Sequence, residues 1–249
     1  MWYQKVVAVV LFSFVGWAVN AQYKSSTFEV GVQAGTLLYQ GDLTFNPMGS
    51  YEYLKPSWAV YALKEVDNQL SFRLQFSRGN FAENEVAYRW VNPTWKQERG
   101  LQVQTKVSEL SALAMYYPLG RNTVDGARKI NPYIMGGLGM AFTSVNRNAA
   151  AFDTSFWGGK SAVAEGLAAD LATPTPKLVP VLPVGIGLQY ALGNNWVLRG
   201  EALYRFTGSD YLDGFSKVAN AASKDAYYTV QLGIGYRFGK NAYRCPRVQ

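Results

Sequence analysis

The sequence predicts an all-β fold: an eight-stranded antiparallel up-and-down barrel that crosses a membrane with its strands. Three observations predict it. Side chains alternate between apolar and polar through eight segments, the connections between those segments alternate between long and short, and the chain opens with a leader for export.

The leader is residues 1–21. Lys5 precedes an apolar run from 6 to 18, and the small-residue site Val19-Asn20-Ala21 follows, which is the pattern of a secretory signal peptide. The run is shorter than the roughly 20 residues a spanning helix needs, and no later stretch supplies an apolar segment of that length. Cleavage after Ala21 leaves Gln22 first, without a cysteine for lipid attachment. Residues 22–238 are then the barrel and residues 239–249 a C-terminal tail.

Twenty-four glycines and 15% aromatic residues with only 16% charged residues fit tight, twisted sheets. The strands are expected at 27–40, 57–63, 69–81, 107–117, 131–145, 181–192, 196–208 and 227–238. The first places Glu29 and Gln33 in one phase, the third Arg73 and Gln75, and the fourth Glu109. The sixth sets Leu182, Val184, Ile186, Leu188, Tyr190 and Leu192 against Gly185, Gly187 and Gln189. The seventh sets Trp196, Leu198, Ala202, Tyr204 and Phe206 against Arg199, Glu201 and Arg205. In the eighth, Tyr228, Val230, Leu232, Ile234, Tyr236 and Phe238 form a wholly apolar face with aromatics at both ends, as a strand crossing two membrane interfaces requires.

Connections one, three, five and seven are long, whereas two, four and six are shorter, the rhythm of loops on one side of a membrane and turns on the other. Within the fifth, the alanine-rich residues 161–172 predict a short helix ended by Pro174 and Pro176.

The polar face decides between a soluble barrel and a membrane barrel. It carries Glu29, Gln33, Arg73, Gln75, Glu109, Arg199, Glu201, Arg205 and Gln231, and no lysine. Exposed faces use lysine freely, whereas an enclosed lumen favours arginine, whose planar fork satisfies several acceptors at once. Glu29, Arg73, Glu109, Arg199, Glu201 and Arg205 are therefore expected to form an ion network that fills a narrow lumen, since eight strands enclose only enough space for side chains.

The net charge of +7 falls to +6 with the loss of Lys5, and the cations are scattered through strands and loops without a phosphate-binding patch, which argues against a nucleic-acid partner. With no histidine and a single cysteine, Cys245, neither an intrachain disulfide nor a histidine-based metal or catalytic site is available, and no cofactor is expected. Asp210 and Asp213 are the nominees for carboxylate chemistry just past a strand end, but for Asp210 a turn-forming role is favoured. Trp90, Trp95 and Trp157 in the loops suit stacking on sugars or seating at the membrane interface, the latter favoured.

Gln231, Gly233, Tyr236 and Phe238 on the closing strand resemble the C-terminal insertion signal of outer-membrane barrels, which implies the barrel-assembly machinery as a partner. Tyr39-Gln40-Gly41-Asp42-Leu43, Asn131-Pro132-Tyr133, the run from Leu182 to Gly187, and Tyr204-Arg205 with Asp210-Tyr211-Leu212-Asp213 narrow the match. Together they resemble the small OmpA-like outer-membrane barrels of Bacteroidota typified by the PorG component of type IX secretion.

That resemblance implies a non-enzymatic membrane anchor or scaffold of a protein-secretion machine associated with gliding. It would be embedded among outer-membrane lipids and lipopolysaccharide. Its periplasmic side would contact a ring lipoprotein (PorK/GldK-like) and that protein's partner (PorN/GldN-like). The tail, with Lys240, Arg244, Cys245 and Arg247, is expected in the periplasm as the contact. The alternative is a stand-alone small barrel for envelope stability, adhesion or ligand binding.

Overall fold

The computed structural model describes residues 27–41, 43–44, 54–86, 94–120, 129–158, 161–192, 195–209, 211–218 and 225–238. Eight antiparallel strands close into one barrel in chain order: β1 (Phe28–Gln40), β2 (Lys55–Glu65), β3 (Leu70–Asn84), β4 (Gln102–Tyr116), β5 (Ile130–Asn148), β6 (Leu178–Leu192), β7 (Trp196–Thr207) and β8 (Ala226–Phe238). Closure comes from the β1–β8 ladder, which runs from Phe28↔Phe238 to Gln40↔Ala226 and leaves neither strand with a free edge. Three helices lie in the connections: α1 (Thr94–Arg99), α2 (Thr154–Trp157) and α3 (Ala162–Ala172).

The two rims differ. Strands β2 and β3, β4 and β5, and β6 and β7 are joined at the short-turn rim, and all three helices sit beyond the other, the long-loop rim. Residues 1–21 and 239–249, the expected leader and tail, lie outside the described residues.

Each strand's alternation sorts its side chains. On β8, Val230, Leu232, Ile234 and Phe238 point outward and are exposed, Leu232 at 75%, whereas Thr229, Gln231 and Arg237 are buried inside. Leu138, Ile186, Phe72 and Leu110 continue this apolar exterior around the barrel. Water would penalise so large a contiguous apolar surface, and lipid would not. From 228 to 238 the outward face of β8 spans about 33 Å of strand, or about 25 Å of height at a tilt of about 40°, the thickness of a barrel's hydrocarbon band. Trp196 packs edge-on against Tyr236 at 5.0 Å near the short-turn rim, and Tyr204 stacks beside Tyr228 toward the other. The molecule is a membrane-spanning β-barrel, although no described helix is long and apolar enough to cross a membrane.

Strands β3, β4 and β5 reach farther toward the long-loop rim than the pattern predicts: β3 continues to Asn84, β4 begins at Gln102, and β5 runs to Asn148. Their outward residues there include Asn80, Gln104 and Asn146. Above the lipid the outward residues turn polar while Phe81, Val103 and Val145 point inward into a packed core, so the pairing persists while the apolar-out, polar-in phase that signals it reverses. The expected helix is present, with the Ser161 hydroxyl capping it by accepting from the Ala164 N–H at 3.2 Å. The six-residue α1, ended by Gly100 at φ +59°, carries no such signal in the sequence.

Candidate functional site

Strand β7 organises the lumen. Its inward positions Arg199, Glu201 and Arg205 each reach across to a different strand, and all are buried. Arg199 donates from Nε and Nη2 to the two oxygens of Glu29 on β1, at 2.8 and 3.0 Å. Glu201 receives a two-pronged contact from Arg73 on β3, at 2.6 and 2.7 Å. Arg205 donates from Nε to Glu109 on β4 at 2.9 Å and from Nη1 to the Thr229 hydroxyl at 2.6 Å. The six residues nominated for the network thus stand as three pairs, each tying β7 to another wall.

Tyrosines complete the pairs. Tyr61 donates to Glu29 at 2.8 Å, and its ring lies 4.3 Å from the Arg73 guanidinium. Tyr133 donates to Glu201, Tyr227 donates to Glu109 at 2.9 Å, and the Tyr117 hydroxyl accepts from Arg199 at 3.0 Å. Arg237 adds a second cation on Glu29 at 3.2 Å and lies 3.9 Å from Glu65. The network expected from sequence omits Arg237 and these tyrosines. Their inward phase is readable, but which rings meet which charges depends on register between strands far apart in the chain.

Glycines make room for the rings. A Cβ on Gly187 would fall 2.4 Å from Tyr133, and one on Gly31 2.4 Å from Tyr61. Around the pairs, Leu63, Leu113, Met115, Met135 and Leu203 pack with the tyrosines toward the short-turn rim. The lumen is a filled core.

The long-loop rim is closed by a second core. Leu212, Phe215 and Val218, from the connection before β8, and Leu167 of α3 pack with Tyr39, Phe81, Leu101, Val103 and Tyr227. Asp170 on α3 accepts the backbone N–H groups of Ser216 (3.1 Å), Lys217 (3.1 Å) and Val218 (2.9 Å), and the Tyr211 hydroxyl at 3.2 Å. Arg99 of α1 pairs with Glu85 and donates to the Val218 carbonyl at 3.1 Å. Arg147 donates to the carbonyls of Gly214 (2.8 Å) and Thr173 (2.7 Å). Three connections are thereby clamped over the mouth by charge-assisted bonds. Beyond them, Asp153 caps α2, and hydrogen bonds from Ser155 and the Phe156 N–H hold its carboxyl below the usual aspartate value.

The other sequence nominees take structural places. Asp213 is 1% exposed, accepts the Phe215 N–H at 2.9 Å and shares the Tyr39 hydroxyl, at 2.8 Å, with Asp225. Asp213 thus holds backbone and side-chain donors inside the packed cap. Asp210 lies outside the described residues. No described cluster of carboxylates, cysteine or histidine could hold a metal ion. Of the loop tryptophans, Trp95 has the Arg99 guanidinium 5.3 Å from its ring, and Trp90 is outside the described residues.

On the closing strand, Gln231 donates to the Ser57 hydroxyl at 3.0 Å, and a Cβ on Gly233 would meet Gln33 at 2.4 Å. Tyr236 packs edge-on against Phe238 at 4.9 Å, and Phe238 lies 6.4 Å from Phe28 across the closing seam. Lys240, Arg244, Cys245 and Arg247 lie outside the described residues.

The family model described as "Domain of unknown function (DUF6089)" covers residues 4–247. The chain belongs to the DUF6089 family. No curated protein sequence matches it. Among solved structures, this DUF6089 barrel is similar to the Neisserial surface protein A (18% identity, 85% of this chain and 97% of that one, TM-score 0.49). It is also similar to the attachment invasion locus protein Ail of Yersinia pestis (13%, 86% and 100%, 0.45). A third is a major outer membrane protein from Thermus thermophilus (14%, 86% and 100%, 0.47).

Proposed function

We propose that this protein is an outer-membrane barrel that performs no chemical step and serves as the membrane anchor of a protein-secretion machine of the type IX kind. The observation that carries the reading is the filled interior: three cross-barrel ion pairs occupy the lumen and a hydrogen-bonded cap closes the long-loop rim. A barrel built this way works through its surfaces and ends. Under this reading the loops face the exterior and the expected tail, residues 239–249, belongs to the periplasmic side.

The type IX assignment is supported by the Tyr-x-Gly-Asp-Leu and Asp-Tyr-Leu-Asp segments that resemble PorG-like barrels. Under it, the partners are the ring lipoprotein and its companion, and the basic tail is the contact.

Affinity purification of the tagged protein from detergent-solubilised outer membranes tests the proposal. Co-purification of a periplasmic ring lipoprotein, with loss of secretion in a deletion strain, is expected. Recovery of the barrel alone with secretion intact overturns it in favour of a stand-alone barrel. Deleting residues 240–249 should preserve the heat-modifiable folded band and weaken the complex, and unchanged assembly refutes the tail as the contact.

A further inference from the structure

The exterior of the barrel is not uniform. On most strands the outward positions stay apolar or aromatic to the rim, but on β3, β4 and β5 they change character. Register places Trp58, Arg78, Ser108 and Phe142 in one outward row across β2 to β5. Lys106 follows on β4, one outward step nearer the long-loop rim, beside Asn80 and Ser144. Arg78 and Lys106 are exposed, on adjacent strands and diagonal to each other, a spacing at which two long side chains reach one group. Neither forms an ion pair with a described residue.

Their height is informative. Counting from the Leu70↔Tyr116 pair near the short-turn rim, Arg78 stands about 20 Å up β3 and Lys106 about 25 Å up β4, at a tilt of about 40°. A hydrocarbon band is about 25 Å tall, so both cations sit where it gives way to headgroups, with Trp58 and Phe142 at interface depth beside them. Above them, two more outward rows are built of Ala82, Gln104 and Asn146, then Asn84, Gln102 and Asn148, and no outward carboxylate occurs there among the described residues. A cleft of about 500 Å³ is lined by these amides together with Lys55, Ala82, Glu83, Val103 and Arg147. Cations at headgroup depth and hydrogen-bonding amides above match, in order, the phosphate and the sugars of one molecule.

We infer that the outward face of β3 to β5 seats a phosphorylated glycolipid of the outer leaflet, its phosphate held between Arg78 and Lys106 and its sugars against the amide rows. This seat rests on the outer-membrane reading and deepens it, since lipopolysaccharide offers both groups at that depth, and it makes the tall wall a lipid-binding surface.

The test uses the full-length protein in phosphatidylcholine nanodiscs doped with bisphosphorylated lipid A, dephosphorylated lipid A or phosphatidylglycerol, with retained lipid counted by native mass spectrometry. The wild type should retain bisphosphorylated lipid A in preference to the other two. Arg78→Gln with Lys106→Gln should reduce retention about tenfold or more while keeping the heat-modifiable band. Lys64→Gln, which removes an outward charge near the opposite rim, should not change it. Equal retention by the double variant, or equal retention of either control lipid, overturns the seat. Nanodiscs present both leaflets, so this result is independent of orientation. Labelling of an Ala151→Cys variant on intact cells reports separately whether the long-loop rim faces outward, and its failure would fall on the proposed function instead.

Discussion

Replacing Arg73 by methionine strands Glu201. The wild-type carboxylate is buried and holds both Arg73 prongs, at 2.6 and 2.7 Å, and without them only the Tyr133 hydroxyl remains among its direct bonds to described residues. Two unit charges about 4 Å apart at an effective dielectric of about 20 attract by about 4 kcal/mol. Breaking a buried pair from one side costs about 3–5 kcal/mol, because the other charge stays desolvated. Arg73→Met and Glu201→Met should each destabilise the barrel by that amount. The double variant should cost far less than the sum, because two apolar side chains of similar length leave no orphaned charge. Urea unfolding in lipid vesicles, followed by tryptophan fluorescence and by the heat-modifiable gel shift, gives the coupling energy, expected at about 3 kcal/mol. Additive single costs, with coupling below about 0.5 kcal/mol, would refute the claim that these side chains act as a cross-lumen pair.

Gly187→Ala drives a Cβ to 2.4 Å from the Tyr133 ring and should cost about 1–3 kcal/mol, whereas Gly136→Ala, whose nearest neighbour is the Pro183 carbonyl at 3.8 Å, should stay within about 0.5 kcal/mol in the same unfolding assay. Asp170→Ala removes the acceptor of three backbone N–H groups in the cap, which should raise hydrogen exchange across 216–218 and trypsin cleavage after Lys217 about 10- to 100-fold with the barrel intact. Unchanged protection would mean that α3 does not hold the cap. In planar bilayers the purified protein should show no porin-sized conductance steps, and sustained steps in the wild type would contradict a filled lumen.

Much of the architecture was legible because a membrane barrel writes its faces into a two-residue period. Glu29, Arg73, Glu109, Arg199, Glu201 and Arg205 could be placed inside by phase alone, and β6, β7 and β8 within a few residues by their apolar outward positions. That signal reverses above the lipid, where outward positions are polar and inward ones such as Phe81 and Val103 pack under the cap, so the upper parts of β3, β4 and β5 do not read as a continuation of the same faces. It was silent on the cap, because Asp170, Glu85 and Asp225 lie in connections without periodicity and act on backbone groups brought near only by closure.

By itself, then, the sequence determined which way each strand's side chains point, since alternation is a local property of the backbone. Only the tertiary structure decided who meets whom: that Arg199 pairs with Glu29 across 170 positions and Arg73 with Glu201 across 128, and that the connection before β8 folds inward as a plug. Those choices follow from strand register and barrel closure, which sum interactions over the whole circumference and leave no trace in any single segment.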